Sequence, residues 1–167
     1  KGYIQDETIN IPEWIIKYNR DNFLPLIKKF NNNKKIFLDR SSSAYTHCQI
    51  ENNDEIIDML TKKGFTSYRV EELSIEEQIY LFNEASIIVG AHGAAFTNII
   101  FCKPETKIIE IIPESHPSKK CQRISKILKL RYKRITTTET NKDKNFPFNI
   151  LLNKKNLNEI ENIIDLN

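Results

Sequence analysis

Short apolar segments alternate with amphipathic segments along most of this chain, and this alternation restricts the possible folds more than any other feature. The apolar segments are rich in Ile and Val, as strands buried on both faces are, and they recur roughly every 20 to 25 residues with helical spacing between them. The predicted strands are 35–39, 66–70, 86–90, 107–112 and 132–136. Because strands separated by helices form βαβ crossovers, we predict an α/β fold with a Rossmann-like doubly wound parallel sheet.

Amphipathic helices are predicted on either side of these strands. The segment 12–30 is the first, and Pro25 breaks or kinks it. Three further helices carry recognisable signals: a stop at Gly64 after 52–63, a capping box from Ser74 to Glu77, and Pro117 in a first turn. A last helix contains Leu157, Ile160, Ile163 and Ile164. We predict one domain over residues 1–167, with a helical segment at 1–33 and an α/β core at 34–167.

Composition and charge exclude several classes of protein. The 167 residues are 40% hydrophobic and 28% charged, values typical of a globular domain. A net charge of +3 favours an anionic ligand but is too small to indicate nucleic acid. Because no apolar run approaches the roughly 20 residues of a transmembrane helix, we predict a cytoplasmic protein, which can be peripheral to the inner membrane face. The first residue, Lys1, suggests a fragment.

The cysteines predict neither disulfides nor a metal site. There are three, Cys48, Cys102 and Cys121, and none forms a C-x-x-C pair. An odd number without paired spacing indicates buried, reduced thiols. Zinc requires clustered Cys and His ligands, and no such cluster is visible in the sequence, so no metal ligand is predicted.

The turn after the third predicted strand carries the strongest functional signal. Residues 90–95, Gly-Ala-His-Gly-Ala-Ala, are small except for His92, so backbone N–H groups can approach a ligand closely. A helix beginning near Ala94 would direct its positive end to the same point, which suits a diphosphate. His92 can hydrogen-bond a phosphate or sugar oxygen, or as imidazolium offset the charge of a departing nucleotide diphosphate. The alternative is a tight turn with a helix-capping histidine.

Other polar side chains follow or interrupt the predicted strands. Arg40, followed by Ser41 and two more serines, suits phosphate binding or is a plain exposed arginine. Glu110 interrupts an isoleucine-rich strand, so it either accepts hydrogen bonds from a ribose or faces outward on an edge strand. Asn98 binds ligand or hydrogen-bonds a neighbouring loop. His47 and His116 are predicted to be solvated, and Gln78 has no assigned role.

Five sequence blocks resemble the family 61 glycosyltransferases in order and spacing. They are Arg40 after a strand, Ile50-Glu51-Asn52, Leu73 to Gln78, Ala85 to Asn98, and Ile108 to Pro113. The resemblance covers about residues 12–135, and its most specific part is the H-G-A-x-x-T-N block at 92–98 with the later Glu110.

The resemblance implies a GT-B architecture, of which this chain is the donor-binding half, with a missing N-terminal domain. It implies an inverting hexosyl- or pentosyltransferase that uses a nucleotide sugar, commonly a UDP-sugar, without an obligatory metal or other cofactor. The acceptor is a glycan or polysaccharide, and bacterial members are associated with capsule and lipopolysaccharide synthesis. By resemblance the donor site contains Arg40, His92, Gly93, Asn98 and Glu110. From the residues themselves we add Ser41 and Ala94 to the predicted donor site and predict that His92 is catalytic.

Two positions depart from the family pattern. Family members often carry a second arginine before the I-x-N block, where this chain has residues 45–49, Tyr-Thr-His-Cys-Gln, so His47 is a candidate replacement. Ala95 stands where the family usually has glycine. A non-catalytic nucleotide-binding or assembly module therefore remains an alternative, as does an unrelated dinucleotide-binding enzyme, which the missing G-x-G-x-x-G motif disfavours.

Overall fold

A computed structural model describes residues 11–27, 34–41, 48–140 and 149–166. Five parallel strands form one sheet in the order β2-β1-β3-β4-β5. Their bounds are β1 Lys34–Leu38, β2 Thr66–Tyr68, β3 Ala85–Ala91, β4 Lys107–Pro113 and β5 Arg131–Thr137. The predicted α/β fold with a parallel sheet is therefore confirmed. The predicted loops at 31–33 and 141–145 lie outside the described residues.

Helices follow the strands and cover both faces of the sheet. The α-helices are α1 Glu13–Phe23, α2 Asn53–Lys62, α3 Ile75–Glu84, α4 Lys120–Leu128 and α5 Lys154–Asp165, with 3₁₀ helices at Leu24–Leu26, Val70–Glu72 and Ala94–Phe101. The predicted break at Pro25 is confirmed, because α1 ends at Phe23 and Pro25 lies in the short 3₁₀ helix. The predicted capping box is also present at Ser74 and Glu77. Within the described residues, every helix is too short or too polar to cross a membrane.

The alternation of side chains along each strand gives the sheet two separate apolar layers. Ile36, Ile88 and Ile108 face α1, α3 and α4, whereas Val89 and Ile109 face α2 and α5. All five of these side chains are fully buried. A sheet covered by helices on both faces is the doubly wound arrangement, and its two faces explain why the strands are apolar throughout.

The strand order creates a topological switch point between β1 and β3. From β1 the chain moves outward to β2 and then returns across β1 to β3, so the connections after β1 and β3 leave in opposite directions. In such sheets a ligand binds in the crevice that opens between these two connections, outside the carboxyl ends of the strands. Arg40 follows β1 and His92 follows β3, so the fold brings both to this crevice.

One predicted helix starts at Ala94 as expected but is a 3₁₀ helix, and one predicted helix start is wrong. The segment after His92 is a 3₁₀ helix, not an α-helix, because its fully buried side chains Phe96, Ile99 and Cys102 recur every three residues and align only at 3.0 residues per turn. The fourth α-helix begins at Lys120, so Pro117 lies in the preceding loop and not in the first turn.

We expect Gly90→Ala to destabilise the fold by about 1 to 3 kcal/mol, as overpacking of a close-packed core does. Gly90 lies in β3, and a Cβ there would approach the Leu38 Cβ to 2.8 Å and the Leu38 carbonyl oxygen to 3.3 Å. These atoms belong to the backbone and stem of a central strand and cannot move aside cheaply. Urea denaturation measures the loss, and an unchanged unfolding midpoint would contradict this packing.

Candidate active site

The candidate site lies at the carboxyl edge of three adjacent strands. Arg40 comes two residues after β1, His92 directly follows β3, and the loop 114–119 follows β4. The ladder extends one residue past β3, because the His92 N–H donates to the Ile111 carbonyl at 2.8 Å. The imidazole is therefore held by regular sheet structure.

Arg40 packs directly against Gly93. A Cβ built on Gly93 would lie 2.0 Å from Nη1 and 2.6 Å from Cζ of Arg40, so only glycine leaves room for the guanidinium. The backbone φ of Gly93 is 174°, an extended value open to any residue, so the glycine is needed for space and not for backbone freedom. Burial lowers the pKa of Arg40, and the nearby Cys48 and Glu71 oppose that shift, but an arginine stays cationic in proteins.

The first residues of the 3₁₀ helix directly follow Gly93 in the chain. The first hydrogen bond of the 3₁₀ helix runs from the Phe96 N–H to the Gly93 carbonyl at 3.2 Å. The N–H groups of Ala94 and Ala95 precede that bond, and amides at a helix start attract anions. Ala94 is exposed and Ala95 half-buried. A guanidinium and two amides therefore border one small region beside Gly93.

His92 is buried and bound to Glu110. Its side chain is 9% exposed, and Nδ1 lies 2.5 Å from Oε1 of Glu110, whose side chain is 2% exposed. Because a carboxylate only accepts hydrogen bonds, the proton lies on Nδ1 of His92. Nε2 is then the nitrogen available to a ligand, as acceptor or, in the imidazolium, as donor.

Two further side chains complete the surroundings of Glu110. The Tyr132 hydroxyl donates to Oε2 of Glu110 at 2.6 Å, and the Cys121 thiol also contacts this carboxylate. Burial raises the pKa of Glu110, but the hydrogen bond and charge of His92 and the hydrogen bonds from Tyr132 and Cys121 outweigh it and leave that pKa below its ordinary value of 4.5. Burial raises the pKa of Cys121. Glu110 is thus an anionic anchor for His92.

The expectation that no cysteine and histidine cluster exists is wrong. Potential ligand atoms of His92, Glu110 and Cys121 all lie within 4.8 Å of one another. However, Nδ1 of His92 and Oε1 of Glu110 are 2.5 Å apart, whereas two ligands of one tetrahedral zinc ion lie roughly 3.3 Å apart. The spacing is that of a hydrogen bond. The predicted thiol state is confirmed, since Cys48, Cys102 and Cys121 are all free and buried.

Sequence reasoning missed His116. It was expected to be solvated, but its ring lies against the His92 ring with centroids 4.3 Å apart and an interplanar angle of 54°. Arg134 in β5 fixes the loop by donating to the His116 and Ser118 carbonyls at 2.8 and 3.0 Å. A histidine in a polar loop gives no local signal of such a contact, because its position depends on an arginine from another strand.

The remaining predicted residues have structural partners. The Asn98 amide donates to Oε1 of Gln78 at 2.8 Å, and Gln78 in turn donates to the Val70 and Leu73 carbonyls, which gives Gln78 a role. Ser41 donates through its N–H and hydroxyl to Asp39. Ligand contacts of Asn98 and Ser41 stay predictions.

The structure excludes one of the two predicted roles of Glu110. The edge-strand alternative is wrong, because β4 lies between β3 and β5 and the Glu110 side chain is buried. A contact of Glu110 with a ribose stays a prediction. The proposed replacement at His47 lies outside the described residues.

Comparison with known proteins shows the family of this chain. Residues 10–109, more than half of the chain, match the family model described as Glycosyltransferase 61. A 40-residue segment is 42% identical to a beta-1,2-xylosyltransferase of Oryza sativa subsp. japonica and covers 24% of this chain and 8% of that protein. A 55-residue segment is 40% identical to a beta-1,2-xylosyltransferase of Arabidopsis thaliana and covers 32% of this chain and 10% of that protein. The matched segments thus span a tenth or less of these relatives, whereas the family model covers most of the sheet, and the chain belongs to the Glycosyltransferase 61 family.

Proposed function

We propose that this chain is the donor-binding domain of an inverting, metal-independent glycosyltransferase. The observation that carries the proposal is the contact between Arg40 and Gly93 beside His92, at the switch point of the sheet. A guanidinium, two helix-start amides and an imidazole form a compact set of donors of the kind that binds a diphosphate. We propose a nucleotide sugar as donor, commonly a UDP-sugar, and a glycan or polysaccharide as acceptor.

In the proposed reaction an acceptor hydroxyl attacks the anomeric carbon and the nucleotide diphosphate leaves. Negative charge develops on the diphosphate, and preorganised donors that face such charge stabilise the transition state. Arg40 and the amides of Ala94 and Ala95 supply fixed positive charge and hydrogen bonds. His92 supplies Nε2, and the Glu110 carboxylate stabilises an imidazolium as the diphosphate departs. In this proposal protein groups stabilise the charge on the leaving diphosphate, as a metal ion does in other enzymes.

The base that deprotonates the acceptor is proposed to come from a second α/β domain in a GT-B arrangement. Glu110 is unsuited to this role, because its oxygens already accept hydrogen bonds from His92 and Tyr132. Asp39 is also engaged, since it accepts hydrogen bonds from Ser41 and Asn53. Glu110 and Asp39 therefore stabilise the structure.

The test is calorimetric titration of the chain with UDP. We expect Arg40→Ala and His92→Ala each to weaken UDP binding by at least about tenfold, since a hydrogen bond to a charged group contributes about 1.5 to 3 kcal/mol. Arg131→Ala is the matched control. It removes the same charge from an arginine at the amino end of β5, away from the carboxyl ends of the strands, where Arg131 pairs with Glu105. Equal affinities in all four proteins would refute the proposed site.

A non-catalytic nucleotide-binding module is the second candidate. The sequence feature that favours it is the missing arginine at residues 45–49, where one phosphate contact of the family would be lost. If the chain together with its partner domain binds UDP but transfers no sugar to any acceptor, this candidate replaces the enzyme.

A further inference from the structure

We propose that His116 is a second imidazole of the donor site and contacts the diphosphate of the donor directly. The inference rests on the proposed function and extends it beyond the residues of the family motif. His116 lies outside the segment 10–109 that matches the family, in the loop between β4 and α4, and the ring contact with His92 at 4.3 Å brings it to the site.

The two histidines differ in accessibility. His92 is 7% exposed and its Nδ1 is bound to Glu110 deep in the sheet. His116 is half-buried and lies on a loop, so it is the imidazole closer to solvent. Because the two rings are in contact, a ligand that binds His92 would also lie close to the ring of His116.

The structure also fixes the protonation pattern of His116. The Ser118 N–H donates to Nδ1 of His116 at 3.3 Å. A nitrogen that accepts a hydrogen bond carries no proton, so in the neutral ring the proton lies on Nε2. A neutral His116 thus carries its N–H at Nε2, and this state would avoid repulsion between two imidazolium rings in contact when His92 is charged.

Three contacts hold this donor in place. Arg134 binds the carbonyls of His116 and Ser118. The loop is tied on one side by the hydrogen bond from the Ser115 hydroxyl to Glu139. On the other side the Lys120 ammonium donates to the Thr97 hydroxyl at 3.0 Å, which joins the start of α4 to the 3₁₀ helix. The loop thus lies beside the helix whose first amides we assign to the diphosphate.

The charges around His116 suit an anionic ligand. Lys120 and Arg134 flank it from α4 and β5, and Arg40 reaches the site from the connection after β1. The one carboxylate that we identify beneath the rings, Glu110, is occupied by His92 and Tyr132. The Arg40 guanidinium beside Gly93 would face a diphosphate bound here, whereas the Glu139 carboxylate is held by the Ser115 hydroxyl. An N–H at Nε2 of His116 would then orient the diphosphate.

The experiment compares three substitutions of His116 by UDP titration. His116→Ala removes the ring, His116→Phe keeps the ring contact with His92 but has no nitrogen, and His116→Gln has an amide N–H near the position of Nε2. We expect UDP affinity to fall about tenfold in the alanine and phenylalanine variants and to stay within about threefold of wild type in the glutamine variant. Thermal unfolding of each variant shows whether the loop still folds.

The outcomes separate this inference from the proposed function. If His116→Phe binds UDP like wild type, the role of the ring is only to pack on His92, and the inference is overturned while the donor site stands. If all three variants lose affinity equally, Nε2 is not the contact and the inference is again overturned. If the wild-type chain binds neither UDP, GDP nor ADP, both the proposed function and the inference fail.

Discussion

Glu110→Ala is expected to lower the free energy of unfolding by about 3 to 5 kcal/mol at neutral pH, the usual cost of removing one partner from a buried charged pair. The Glu110 carboxylate lies in the apolar layer beneath α4 and accepts hydrogen bonds from His92 at 2.5 Å and from Tyr132 at 2.6 Å. Without it both donors are buried and unsatisfied, and a cavity remains. Urea denaturation of the variant and the wild type measures the difference.

The pH dependence of this loss has a definite sign. The pKa of Glu110 is below 4.5 in the folded protein, so its stabilising contribution is complete above that value and is lost as the pH falls through the folded pKa. The gap in stability between wild type and Glu110→Ala should therefore narrow below about pH 4.5. A gap that stays constant down to the acid unfolding of both proteins would contradict the anionic state of Glu110.

Two conservative variants separate the contributions of the Tyr132 hydrogen bond and the Glu110 carboxylate to this stability. Tyr132→Phe removes one hydrogen bond and should cost about 1 to 2 kcal/mol. Glu110→Gln should cost about 2 kcal/mol, because an NH₂ group replaces one of the two carboxylate oxygens that accept from His92 and Tyr132. If Glu110→Gln is as stable as wild type, the carboxylate charge contributes nothing and His92 is not anchored by it.

The positions of Arg40 and His92 were predictable from sequence because they depend only on the strands being parallel. Both residues come within two residues of the end of an apolar strand, and the carboxyl ends of parallel strands meet at one edge of a sheet. Predicting a parallel sheet is enough to bring the two residues to the same edge. For Glu110 the sequence predicts only that a hydrogen-bond donor must be present, since a carboxylate within an isoleucine-rich strand needs one. Which donors it has depends on the pairing of β4 with β3 and β5.

Features set by contacts distant in sequence were not predictable. His116 reaches His92 because Arg134, from the following strand, fixes its loop. The three-residue spacing of Phe96, Ile99 and Cys102 is typical of the 3₁₀ helix after Gly93. However, small residues before an apolar run are also compatible with an α-helix. Local sequence thus gave the elements, whereas the loop at 114–119 required the complete sheet.

Gly93→Ala is expected to weaken UDP binding by about 100-fold with little change in stability. The added methyl group would lie 2.0 Å from Nη1 of Arg40 and must displace the guanidinium. It would also narrow the approach to the amides of Ala94 and Ala95. Loss of the Arg40 contact together with part of the amide contacts corresponds to about 2.7 kcal/mol of binding energy. Stability should change by less than about 1 kcal/mol, because alanine adopts the extended backbone of Gly93 without strain.

Gly64→Ala is the matched control for this variant. Gly64 has a φ of +81°, and nothing lies within 4 Å of a Cβ built there, so alanine strains the backbone without contacting the site. This variant should lose about 1 kcal/mol of stability, as alanine does at positive φ, and should bind UDP like wild type. The two glycine substitutions then have opposite signatures, one in affinity and one in stability. If Gly93→Ala instead binds UDP normally, Arg40 does not need the space beside Gly93 to bind the donor, and the diphosphate must lie elsewhere on the sheet edge.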